Sequence, residues 1–178
     1  ISSNSPQKAP TLSPTKEKVE TYAEKIDQWI LKAALNNPLI CSESRFTEIL
    51  DFAKYIETKR FINDWGELSK NQGEGIKENY SQNVVGLINE HEFSAPFKNL
   101  VFSCLYSSEP KTSKDDLPKL IHDLGKKVEV ETLKLRRVDL MNKRSNIIDK
   151  MEIEKIDTEV MELNRKILRS KKQKLVQI

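Results

Sequence analysis

Along the first third of the chain, apolar residues recur at helical spacing. Val19, Tyr22, Ile26, Trp29 and Ala33 stand three or four residues apart, and Asn36-Asn37-Pro38 ends the stripe, which predicts one amphipathic helix. A second helix is expected from Ser42 or Ser44, with Phe46, Ile49, Leu50, Ala53 and Ile56 on one face. Phe61, Ile62, Trp65 and Leu68 continue that helix or turn it back. The stretch NQGEG, Asn71 to Gly75, reads as a loop, because two glycines among polar neighbours offer nothing to bury. Tyr80, Val84, Leu87 and Ile88 predict a third, short helix, and Pro96 opens a fourth carrying Phe97, Leu100, Val101, Cys104 and Leu105. Residues Ser107 to Asp116 are polar, without apolar period, and separate these small helices from the C-terminal third of the chain.

Beyond Asp115 the pattern changes. No proline occurs after Pro118 and no glycine after Gly125, so a long helix is expected, capped by Asp115 or Asp116. Unbroken from Lys126 to Ile178, its 53 residues would reach ~80 Å at 1.5 Å each. Two apolar seams run along it. The first holds Ile121, Leu124, Val128, Leu135 and Val138, then Ile153, Ile156, Val160, Leu163 and Ile167. Asn142 and Ile153 share its core position eleven residues apart, the spacing of a stutter in a coiled coil. The second holds Val130, Leu133, Leu140, Ile147, Met151, Met161 and Leu168, interrupted by Arg137, Arg144, Glu154, Thr158 and Arg165.

One seam suffices for a simple dimer, whereas two buried flanks need neighbours on both sides. The expected context is therefore a bundle of three or four helices drawn from several chains, with acidic partners for the interrupting arginines supplied by non-identical subunits. The competing possibility is a rod that folds back on itself, for which Asn142 to Asn146 is the candidate turn.

Composition agrees with an extended helical object: 178 residues, 32% charged, 37% hydrophobic, five glycines and a net charge of +3. Ile1 in place of methionine reads as a fragment or a processed chain. The apolar runs are far shorter than the ~20 residues of a membrane span, and no signal peptide is visible, so no membrane role is expected. Cys41 and Cys104 lack metal-ligand spacing and read as buried thiols. His91 and His122 read as surface or helix-end residues, away from any nucleophile. No catalytic residue, metal or cofactor is expected, and the chain is read as not an enzyme.

The expected fold class is all-α: a small N-terminal helical head, then a long coiled-coil helix in a multi-chain bundle. Its divisions are a Ser/Pro-rich arm (1–12), a head of short helices (13–106), a linker (107–114), the long helix (115–170) and a basic and apolar tail (171–178). In the arm, Ser-Pro-x-Lys occurs twice, at Ser5 and Ser13, the pattern preferred by cyclin-dependent kinases. Ser13 doubles as a helix cap with Pro14 in the first turn, where a phosphate would meet free N–H groups, whereas Ser5 is an auxiliary site. In the tail, Lys171, Lys172 and Lys174 precede Leu175, Val176 and Ile178, a docking peptide with a basic flank. Trp29 and the residues of both seams, above all Ile121, Leu124, Val128, Leu133, Leu135, Val138, Leu140, Ile147, Ile153, Ile156, Val160, Leu163 and Ile167, form the expected partner interface.

WILKAAL, Trp29 to Leu35, is similar to the tryptophan-bearing helix of the Dsn-type subunits of the yeast-type MIND kinetochore complex, with Ala34 and Leu35 in matching places. INDWGELSK, Ile62 to Lys70, resembles that family's second tryptophan-containing segment. The resemblance implies a four-chain scaffold that links centromere-proximal proteins to the microtubule-binding machinery in the nucleus, with the head regulated by phosphorylation. The tail would dock a further complex. A spindle-pole or other cell-cycle scaffold, which admits a cytosolic location, and a basic helical nucleic-acid-binding module are the alternatives.

Overall fold

A computed structural model describes residues 16–106 and 116–175. Seven α-helices make up almost all of them: α1 (Lys16–Asn36), α2 (Ser44–Leu50), α3 (Ile56–Gln72), α4 (Tyr80–Glu90), α5 (Ala95–Tyr106), α6 (Leu117–Arg144) and α7 (Lys150–Leu175). Short 3-10 turns lie at Pro38–Ser42 and Gly73–Lys77, and no strand occurs among the described residues. Ser5 and Ser13, the expected phosphorylation sites, lie outside the described residues, as do Val176 and Ile178.

The head is organised on α1. Ile26, Ile30, Leu31, Ala34 and Leu35 are fully buried, so this one helix supplies the centre of the core. It ends as its sequence predicts: the Asn37 N–H closes the last turn on the Ala33 carbonyl at 3.0 Å, and Pro38 opens a 3-10 turn. α2 is shorter than expected. It stops at Leu50, Ala53 sits in a connection, and Ile56 begins a new helix at 83% exposure instead of sharing the face of Phe46 and Ile49. The cause lies elsewhere in the sequence. The buried Asp27 carboxylate, on α1, accepts hydrogen bonds from the backbone N–H groups of Lys54 (2.9 Å) and Tyr55 (3.3 Å), which fixes the chain just ahead of the helix that starts at Ile56.

α3 then returns across α1 and buries Phe61, Ile62 and Trp65. The Trp65 indole donates to the Ala34 carbonyl at 3.1 Å, and its ring meets Tyr80 edge-on at 5.7 Å. Gly66 allows close approach to the 3-10 turn, since a Cβ there would stand 2.9 Å from the Cys41 Cβ. The NQGEG segment does break the helix. Gly73 takes φ +55°, in the left-handed region, and starts the second 3-10 turn. α4 and α5 fall where the apolar spacing puts them, and Phe61, Phe93 and Phe97 form an aromatic cluster at their corner with centroids 5.0–6.3 Å apart.

α6 closes the head. Asp116 is its N-cap residue and Pro118 falls in its first turn, where the missing N–H removes no bond. Ile121, Leu124 and Val128 enter the same core as α1. The two helices run antiparallel. Lys134 sits over the Tyr22 ring at 6.0 Å, whereas Leu39 and Arg45, past the other end of α1, share a groove with Leu117 and Ile121.

The long helix is not unbroken. α6 ends at Arg144, residues 145–149 turn the chain, and α7 packs back along α6. Three cross-links fix the antiparallel register: Arg136 to Glu159, Arg137 to Asn164 at 3.0 Å, and Arg144 to Asp157. The turn needs neither glycine nor proline. The Ser145 hydroxyl (2.7 Å) and the Asn146 amide (3.2 Å) satisfy the Asn142 carbonyl, and the Asp149 carboxylate caps α7 through the Glu152 N–H at 3.0 Å. The apolar seams carry no mark of a helix start here, but Asp149 with Glu152 three residues on has the spacing of a capping box.

Asp27 also gives the head a pH signature. Its burial raises the pKa above the ordinary aspartate value of 3.8, opposed by Thr58 and the Lys54 and Tyr55 N–H groups. The folded chain therefore holds this proton more tightly than the unfolded chain. Stability from the group is fully present below 3.8 and is lost as pH rises through the folded pKa. Urea midpoints of the parent and of Asp27→Asn, measured from pH 4 upward, should show the parent losing ground to the variant as pH rises, then a constant difference. Asp27→Ala, which leaves two backbone N–H groups without their acceptor, should lower stability by ~1–3 kcal/mol.

Candidate interaction surfaces

The two seams end in different environments. In the first, Ile121, Leu124 and Val128 are buried in the head, while Leu135, Val138, Ile156, Leu163 and Ile167 are the buried apolar residues of the α6–α7 hairpin. Ile153 and Val160 are half-buried. Within the chain, α1 and α7 pack over this seam, which was expected to face other chains.

The second seam is only partly covered. Val130, Leu133, Leu140 and Ile147 are half-buried, and Met151, Met161 and Leu168 are 71%, 54% and 58% exposed. Met141 and Ile148 add to the exposed apolar residues of the hairpin, with Ile148 at its bend almost bare. Isolated exposed apolar side chains are ordinary, whereas a run of them on one element marks a contact surface. Along α7 the run Met151, Thr158, Met161, Arg165 and Leu168 keeps helical spacing on the side turned away from Ile156, Leu163 and Ile167.

Two of the three arginines of this seam, Arg137 and Arg144, find partners within the chain, and Arg165 is exposed. Arg144 pairs with Asp157, which raises the arginine's pKa through the hydrogen bond and charge and lowers the aspartate's in return. Both groups face solvent, so the pair sets register rather than holding the hairpin together. Arg137 donates to Asn164. Trp29 is half-buried against the head core instead of standing free, and Lys171, Lys172, Lys174 and Leu175 belong to the last turns of α7.

One buried polar residue interrupts the first seam. Glu131, 4% exposed, stands between Val128 and Leu135 in the core spacing. It pairs with Lys134, one turn on, and its Oε2 has no hydrogen-bond partner among the described residues. The same holds for Thr132 Oγ1 and Arg137 Nε nearby on the helix. An apolar seam passes over a charged residue, so Glu131 has no apolar signal, although the three-and-four count runs through it.

At the corner of α3 and α4, Arg60, Asp64 and His91 form a second polar cluster. The Arg60 guanidinium, which only donates, lies 2.9 Å from His91 Nδ1, so that nitrogen accepts and the ring hydrogen sits on Nε2, which lies 2.9 Å from Asp64 Oδ2. His91 is thus a helix-end residue with two partners, and no serine or cysteine stands in this group to be activated. Neither cysteine forms a disulfide among the described residues, and burial pushes the Cys41 thiol up to about 12 and that of Cys104 up to about 11. Among the described residues no cluster of three His, Cys, Asp or Glu could hold a metal ion, and no helix is long and apolar enough to cross a membrane. Compared with known protein families, curated proteins and solved structures, the chain matches none.

Glu131 gives a test of sign. A buried ion pair replaced by a well-packed apolar residue is often neutral to stabilising by ~1–4 kcal/mol. The double change Glu131→Leu with Lys134→Met, which removes the whole pair, should therefore hold or raise the urea midpoint of the full chain, whereas Lys134→Ala alone, which leaves the carboxylate buried and unpaired, should lower it.

Proposed function

We propose that this chain is a non-enzymatic structural subunit of a helical assembly, with the head as its folded base and the α6–α7 hairpin as its docking arm. The observation that carries this reading is the exposed part of the second seam, Met151, Met161 and Leu168 on α7 with Met141 and Ile148 beside the bend. Methionines suit such a surface, since their unbranched side chains adapt to a partner's relief. The expected occupants are amphipathic helices of other subunits, which would complete a three- or four-helix bundle around the hairpin.

Within that class, the resemblance of Trp29 to Leu35 and of Ile62 to Lys70 supports a Dsn-type kinetochore scaffold in the nucleus, joining centromere-proximal proteins to the microtubule-binding machinery. Phosphorylation at Ser13 and Ser5 and docking through the tail from Lys171 to Ile178 are part of the same reading. A structural role for the thiols and for His91, each engaged in packing or with local partners, is consistent with a subunit that carries no chemistry.

Two substitutions close together on α7 separate docking from folding. Met161→Asp places a charge on an exposed position and should leave hairpin and head folded. Partner recovery from native cells, quantified against the parent, should drop at least ~10-fold, equivalent to ~1.4 kcal/mol. Leu163→Asp buries an unpaired carboxylate and should release α7 from α6 at a cost of several kcal/mol, while hydrogen exchange shows the head still protected. Equal partner recovery by parent and Met161→Asp would remove this face from the assembly surface.

A further inference from the structure

The head carries a cleft on the side formed by the starts of α3 and α5. Its volume is ≈270 Å³, below the ~300–1,000 Å³ of pockets that enclose a drug-sized ligand and suited to one long side chain. Phe97 and Leu100 are among its apolar lining residues, Tyr55 is part of its exposed rim, and Glu24 and Glu57 both line it. Ile56, the most exposed aliphatic residue of the head, stands next to Tyr55 in the chain.

Among the described residues no cation pairs with the carboxylates of this cleft. Glu57 accepts only neutral donors, the Ser94 N–H at 2.6 Å and the Ser94 hydroxyl at 2.9 Å. Glu24 is exposed, and neither carboxylate forms an ion pair among the described residues. Among the described residues no lysine, arginine or histidine lines the cleft. Two carboxylates beside an apolar lining match a side chain with an apolar stem and a cationic end, which is the make-up of arginine and lysine.

The walls are also fixed in advance. Asp27 holds the backbone at Lys54 and Tyr55, and Ser94 joins Glu57 to the first turn of α5, where the Phe97 N–H lies 3.4 Å from the Ser94 hydroxyl. A site whose walls need no ordering on binding loses little affinity to reorganisation.

We propose that this cleft is a recognition site for an arginine or lysine side chain of a partner protein segment, with an aliphatic neighbour of that residue resting on Ile56. The cation meets Glu24 and Glu57, and its methylene stem lies on Phe97 and Leu100. The site is separate from the hairpin face, and a peptide probe reads it directly, so its failure would leave the assembly surface untouched.

The full isotope-labelled chain is titrated with acetyl-Leu-Arg-amide and, separately, with acetyl-Leu-citrulline-amide, which keeps the shape and removes the charge. Saturable amide shifts at Tyr55, Ser94 and Leu100 are expected for the arginine peptide, in the millimolar range of a single ion pair with one buried stem. Binding should weaken by at least ~fivefold with citrulline and by a similar factor in Glu24→Lys, an exposed position whose change leaves the core intact. Equal binding of the citrulline peptide would assign the cleft to neutral apolar side chains and overturn the proposal. So would unchanged binding by Glu24→Lys, or no saturable shift up to ~10 mM arginine peptide.

Discussion

The antiparallel packing of α1 on α6 is the contact on which the other helices depend. α1 contributes Ile26, Ile30, Leu31, Ala34 and Leu35, and α6 closes the same core with Ile121, Leu124 and Val128. Burial of large aliphatic side chains of this kind contributes ~1.5–3 kcal/mol each before the entropy of ordering is subtracted. α1 also directs its neighbours through polar groups: Asp27 sets where α3 begins, and the Ala34 carbonyl receives the Trp65 indole. A single helix therefore acts as template for both the apolar core and the corner that turns α2 into α3.

α6 belongs to two packings at once. Its first half is a head helix, and its second half is one arm of the hairpin, so the position of α7 is tied to the head through one continuous helix. The hairpin itself has a narrow apolar interior, Leu135, Val138, Ile156, Leu163 and Ile167, flanked by Arg–carboxylate pairs that specify register. The apolar residues left outside it on α7 are those of the second seam. A helix with apolar residues on two sides and one neighbour leaves one side to be covered, which is the physical basis for reading the hairpin as a docking arm.

Local pattern carried much of the head. The Pro38 stop, the glycine break at Gly73 and the helices of Tyr80–Glu90 and Ala95–Tyr106 all arise from spacing and turn chemistry within a few residues. What spacing missed depended on distant partners or on polar residues. The break after Leu50 is set by Asp27, 27 residues upstream of Lys54, whereas the apolar period from Phe46 to Ile56 points to one helix. The fold-back at 145–149 has a local signal in Asp149 with Glu152, a polar cap rather than a glycine or proline. For the interaction surface, both seams carry equal weight in the sequence, because the same three-and-four spacing describes a face covered by α1 and α7 and one left open. Nothing in the spacing of Glu24, Glu57 and Phe97 places them around one cleft, since three separate helices bring them there.

The fold-back of α7 decides which seam is covered and which is open, so its direct measurement carries the most weight. Spin labels at Lys127→Cys and Arg169→Cys, both exposed positions, would report the separation of the two arms in the full chain. Packed antiparallel helices, with axes ~8–10 Å apart, should give label distances near ~20 Å. A continuous helix would hold the same positions ~63 Å apart at 1.5 Å per residue, and that distance in the isolated chain would contradict the hairpin and the surface it presents.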